Sequence, residues 1–162
     1  MNVSVSVCPG EIASPAEIFA LAEEYRMASQ SLVSLGRAKA PLSRSPGRLC
    51  AIHAIELYLN AYLLSSGASP QEIRAHFHNL KERSDRTRAS GLILRKRTAE
   101  HLIKMTEERE YLISRYSPEM ATTHSEINRL MATLEEVANK VSQRICLDAT
   151  SCSKSVKETT AL

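Results

Sequence analysis

The chain has 162 residues, 43% hydrophobic and 24% charged, which is enough apolar side chain for one globular domain and too much for a disordered chain. Five Gly and six Pro exclude a turn-dense β-sandwich or barrel, and two Phe, five Tyr and no Trp argue against a module that stacks bases on an aromatic sheet. A net charge of +3 permits an anionic partner without requiring one.

Residues 1–13 alternate Val and Ser and hold neither the basic nor the apolar stretch of a secretory signal, so they read as a flexible arm. Ser14-Pro15-Ala16-Glu17 is a helix start: Ser as N-cap, Pro at the first helical position, Glu three residues after the cap. Ile18, Leu21/Ala22, Tyr25, Ala28, Leu32 and Leu35 follow at helical spacing, and Gly36 ends helix one, about 15–35. Helix two runs from about Pro46 to Ser66 and stops at Gly67. It is apolar almost all round, which predicts the most buried helix. Its stretch 49–64 is interrupted by His53, Glu56 and Asn60 and cannot span a bilayer.

Ser69-Pro70-Gln71-Glu72 repeats the start signature, and helix three carries Ile73, Phe77 and Leu80 before a polar stretch that ends at Gly91. Helix four is expected over 92–116, closed by Ser117-Pro118. Thr123-x-x-Glu126 reads as a third capping box ahead of helix five, where Ile127, Leu130/Met131, Leu134, Val137/Ala138, Val141 and Ile145 keep period for five turns. Residues 148–162 are polar and nonperiodic and read as a disordered tail. The expected fold is therefore all-α: an up-and-down antiparallel bundle of four long helices plus one short helix over 14–147.

Three groups of polar residues stand out. His53, Glu56 and Asn60 fall at i, i+3 and i+7, one polar stripe on an otherwise apolar helix. Such a stripe is either a hydrogen-bonded structural network or one wall of a cleft or interface. His76 and His78 point to different faces of a regular helix and cannot chelate one metal from it. The stretch 81–97 concentrates Lys81, Arg83, Arg86, Arg88, Arg95, Lys96 and Arg97 against Glu82 and Asp85, either a solvated corner or a phosphate-binding patch. Cys8, Cys50, Cys146 and Cys152 form no C-x-x-C pair, Cys50 reads as core, and no metal, cofactor or disulfide is expected. A reduced, cytoplasmic setting without membrane association follows from these readings.

The run from His53 to Leu64, His-Ala-Ile-Glu-Leu-Tyr-Leu-Asn-Ala-Tyr-Leu-Leu, then Gly67, then His78-Asn-Leu80, resembles the HEPN superfamily (higher eukaryotes and prokaryotes nucleotide-binding). Members share a helix of the type A-x-E-x-x-L-K-A-x-L-L, a Gly, and a short helix with H-D-L. Tyr111-Leu-Ile-Ser-Arg-Tyr116 before Ser117-Pro118 is similar to the R-Y-P end of the family's fourth helix. The resemblance covers about residues 15–146. It implies a bundle of four to five helices, a homodimer, and binding of nucleotide, RNA or a protein partner through His53, Glu56, Asn60, His78, Arg115 and Tyr116. The end of helix four would then pair Arg115 with Glu56.

Many HEPN proteins are metal-independent RNases of toxin–antitoxin or defence systems, marked by R-x(4–6)-H and often partnered by a nucleotidyltransferase-like antitoxin. Arg48/His53 and Arg95/His101 both have the spacing, and only Arg95/His101 opens helix four, so Arg95 and His101 would be the catalytic residues. The family's supporting E-x-x-x-K reads Glu56 to Asn60 here, without the Lys charge that could stabilise a phosphorane. The expected function is a binding module without catalysis. The alternatives are an RNase and a purely structural bundle.

Overall fold

The computed structural model describes residues 11–158, with side chains through residue 146. Among the described residues the only regular secondary structure is helical: α1 Pro15–Ser34, α2 Ser45–Ser65, α3 Pro70–Arg74, α4 Leu80–Ala89, α5 Lys96–Glu107, α6 Glu110–Tyr116 and α7 Ile127–Glu158, with 3-10 turns at Pro41–Arg44 and Pro118–Met120. No described helix is long and apolar enough to cross a membrane.

Two starts form as their sequences require. Ser14 Oγ accepts the Glu17 N–H at 3.2 Å, and the Glu17 carboxylate accepts the Ser14 N–H at 2.8 Å. Ser69 and Glu72 repeat both bonds at the head of α3. Gly67 and Gly91 stop α2 and α4 with φ of 92° and 103°. In each case the N–H two residues past the last turn reaches back, Ala68 to the Leu63 carbonyl and Leu92 to the Thr87 carbonyl.

Two expected helices are broken. The third ends at Arg74, because Asn79 caps a new helix with its side chain on the Glu82 N–H at 2.9 Å. Phe77, expected on an apolar face, is left in the turn between, 80% exposed, at φ 45°. The fourth becomes a non-helical stretch over 92–95, then α5, then α6, with the break at Arg109 in the left-handed region at φ 53°. Leu92 and Leu94 face inward while Ile93 is exposed, the alternation of extended chain. Three long helices therefore stand where four were expected: α1, α2 and α7.

The third capping box does not form either. Thr123 donates to the Met120 carbonyl at 2.8 Å in a turn, and the first bonds of α7 close on the Glu126 carbonyl. At its other end α7 runs on to Glu158, so the backbone of 148–158 is helical rather than an irregular tail. No Gly or Pro interrupts the chain after Pro118 to stop it. The arm over 1–10 and the last residues, 159–162, lie outside the described residues.

Packing centres on α2, which touches α1, α7, α3, α4 and α6. Ala51, Ile52, Ala54, Ile55, Tyr58, Leu59, Ala61 and Leu63 are all buried on it. Gly47 lets α1 approach: a Cβ there would stand 2.8 Å from Val33 Cγ2. From α7 come Leu130, Leu134, Val137, Ala138 and Val141. The face of α1 differs from the expected stripe: Ala22 and Ser29 are buried, Ile18, Phe19 and Tyr25 pack on the core, and Leu21 and Leu35 are exposed. Arg26 fixes α1 to α7 by gripping Glu135 with two bonds, at 2.7 and 3.0 Å.

Candidate functional site

In the polar stripe of α2, Glu56 is buried while His53 and Asn60 are partly exposed. Glu56 is 5% exposed, a position that a carboxylate can hold only with partners. His78, at the foot of α4, supplies the nearest, with Nδ1 3.0 Å from Oε1 and 3.3 Å from Oε2. His53 Nδ1 lies 3.6 Å from Oε2, and its ring meets Tyr25 edge-on, centroids 4.5 Å apart. Burial by itself would raise the Glu56 carboxyl. His53, Arg83 and His78 outweigh burial and hold it below the usual carboxylate range. Asn60 completes the stripe by accepting from Arg83 Nε at 2.8 Å. Arg83, itself buried, reaches on to the carbonyls of His76 and Asn79.

His78 carries this network to the surface. Its Nδ1 is committed to Glu56, which leaves Nε2 as the nitrogen at the disposal of a ligand. It stacks at a tilt on Tyr111 of α6, ring centroids 4.9 Å apart. Both rings line a cleft of about 520 Å³ with His76, Phe77, Glu82 and Arg109. His76 is buried there with no hydrogen-bond partner for Nε2 among the described residues, and burial, then Arg83, lowers its imidazole from the ordinary range. Phe77 and Arg109, both lining the cleft, are two of the three non-glycine residues with positive φ among those described. Each such backbone costs about 1–2 kcal/mol, and strain of this kind collects at binding sites. The arrangement offers flat aromatic faces, a guanidinium and imidazole nitrogens, which suits a planar, hydrogen-bonding ring.

Of the sequence-predicted binding residues, the structure brings His53, Glu56, Asn60 and His78 together. Arg115 and Tyr116 lie elsewhere. Both are exposed at the end of α6, and Arg115 lines a shallow depression with Leu42, Ser45 and Pro118. The expected Glu56–Arg115 pair is replaced by Glu56 with His78, His53 and Arg83. The break at Arg109 explains this, because it separates the end of the predicted fourth helix from the line of α5.

Arg95 and His101 also part. Arg95 is 84% exposed beside Glu136 of α7, 3.9 Å away, and its N–H donates to that carboxylate. His101 is buried with Nδ1 2.8 Å from Thr133 Oγ1, and it lines a different cleft from the one that Arg95 borders. Burial first, then the cations around it, depresses the imidazole to about 4, so it is neutral at pH 7. Most of the basic stretch is paired locally: Lys81 and Arg88 with Asp85, Arg86 with Glu72, Lys96 with Glu100. Cys50 is half-buried, and burial raises its thiol. Among the described residues no three His, Cys, Asp or Glu side chains converge to hold a metal.

Phe77 and Arg109 had no place among the candidate site residues; Arg83 was read only within the basic stretch and Tyr111 only within the motif that ends helix four. The available signal was Asn79-x-x-Glu82, a helix start that strands Phe77 between two helices. Neither a family model, a curated protein nor a solved structure matches this chain.

Proposed function

We propose that the chain is a HEPN-like binding module of the cytoplasm that engages a nucleotide or single-stranded RNA at the cleft between the α3–α4 turn and α6, without catalysis. One observation carries this reading. Phe77, one of only two phenylalanines in the chain, is held in a strained backbone with its ring given to solvent on the rim of that cleft. Exposed aromatic rings recognise bases by stacking, and the stacked His78–Tyr111 pair and Arg109 add further flat surfaces. Glu56 beneath His78 acts as a positioning residue: it fixes the ring and its tautomer.

Catalysis is left out of the reading because Arg95 and His101 border different clefts. The family's up-and-down bundle and homodimer are part of the proposal, and light scattering tests the dimer. Anisotropy of a labelled single-stranded RNA tests the binding: the chain should bind saturably, and Phe77→Ala should weaken binding about tenfold or more. Because Phe77 is exposed, the variant should remain folded.

A further inference from the structure

On the side of α5 turned toward α7 lies a second cleft, of about 480 Å³, lined by Arg97, His101, Lys104 and Arg129 together with Glu100, Ser125 and Glu126. We propose that this cleft is a binding site for a phosphate group, as the free dianion or a small phosphate monoester. It shares no lining residue with the cleft beside His78, so it stands or falls separately from the reading above.

Three features converge on it. Arg97, His101 and Lys104 fall at i, i+4 and i+7, so one face of α5 presents two cations with the histidine between them. Opposite, Arg129 stands in the first turn of α7, where the partial positive charge of a long helix favours an anion. Buried polar atoms without partners among the described residues supply the third feature. His101, 94% buried by its 6% relative exposure, lines the cleft, and neither its Nε2 nor the buried Nη2 of Arg129 has a hydrogen-bond partner among the described residues. Buried polar atoms without partners are rare enough to call for an explanation.

A phosphate is all acceptor, and so fits a site that is mostly donor. When Thr133 donates its hydroxyl proton to Nδ1 of His101, the imidazole proton sits on Nε2 and joins Arg97, Lys104 and Arg129 as a donor. The cleft's own carboxylates do not fill that place. Glu100 is paired with Lys96 at 3.8 Å, and both Glu100 and Glu126 are exposed. Lys104 pairs with Glu108 at 3.6 Å, an exposed pair that a dianion can displace. Deeper in, Glu110 is already taken by the Ser125 N–H at 2.8 Å and by Arg48, 3.7 Å away. Arg48 also donates to the Ser125 carbonyl and so steadies the start of α7 at the edge of the cleft. Burial chiefly disfavours the protonated form of His101; the Glu110 carboxylate opposes this, and Arg129, Lys104 and Arg48 add to it.

The test is an NMR titration of the full chain with inorganic phosphate, and in a second arm with glycerol phosphate, at constant ionic strength and pH 7. Saturable shifts should appear at the His101 ring and at the amides of 97–104 and 125–129. Lys104→Gln and Arg129→Gln should each weaken binding about tenfold or more, while Lys104→Arg and Arg95→Gln should leave it nearly unchanged. Saturation by phosphate alone makes the site one for the free ion; saturation by both extends it to monoesters. No saturable shift in either arm, or saturation that survives both Gln variants, overturns the proposal. Lys104 is exposed, so its variants read binding rather than folding.

Discussion

Nδ1 of His78 lies 3.0 Å from Oε1 of Glu56, and this contact joins the α3–α4 turn to the middle of the most buried helix. The carboxylate is shut from solvent while the imidazole is 40% exposed, so one pair connects the core to the rim of a cleft. Removing His78 leaves a buried charge with less compensation, whereas removing both members leaves none.

His78→Ala should therefore destabilise the fold by about as much as, or more than, the double variant with Glu56→Gln. A urea double-mutant cycle at pH 7 checks this, with an expected coupling of ~1 kcal/mol or more. Coupling near zero would mean that Arg83 and His53 alone satisfy the carboxylate.

Acid should weaken the fold through His101 before it does so through the carboxylates. The imidazole is depressed to about 4 in the folded chain and titrates at about 6.5 when unfolded. Between those values the unfolded chain binds the extra proton, so stability falls as pH drops from about 6.5 toward 4 and is unaffected above. The loss from this group is about 3 kcal/mol over the whole window. His101→Asn, which keeps a polar atom near Thr133, should flatten the stability profile between pH 6.5 and 5 in urea unfolding. A wild-type profile already flat there would contradict the burial of this imidazole.

Leu134 is fully buried on α7 against the α2 core. Leu134→Ala should cost ~2–5 kcal/mol. A loss under about 0.5 kcal/mol by urea unfolding would show that this face of α7 carries none of the core.

How far the sequence speaks depends on whether the signal is local. Ser14, Gly67, Ser69 and Gly91 act on their own neighbours through caps and positive φ, and each is where the sequence puts it. The all-round apolar character of α2 is likewise a local pattern, and it predicts the burial found there. Arg109 defeats such reading, since no residue other than Gly or Asn announces a left-handed backbone. That break moves Arg115 away from Glu56 and brings Tyr111 beside His78. The α2 half of the site was legible as a polar stripe at helical spacing. The other half was not, because it depends on how the α3–α4 turn meets α6, across breaks that the periodicity runs straight over.

The affinity of Phe77→Ala and wild-type chains for a fluorescein-labelled single-stranded RNA, measured side by side by anisotropy with circular dichroism confirming the fold, tests the central claim most directly. The cleft reading predicts saturable binding by the wild type and a loss of about tenfold or more on removing the ring, with Tyr111→Ala weakening binding in the same direction. Equal affinity in the three chains, or no saturable binding by the wild type to RNA or to a mononucleotide, would contradict it.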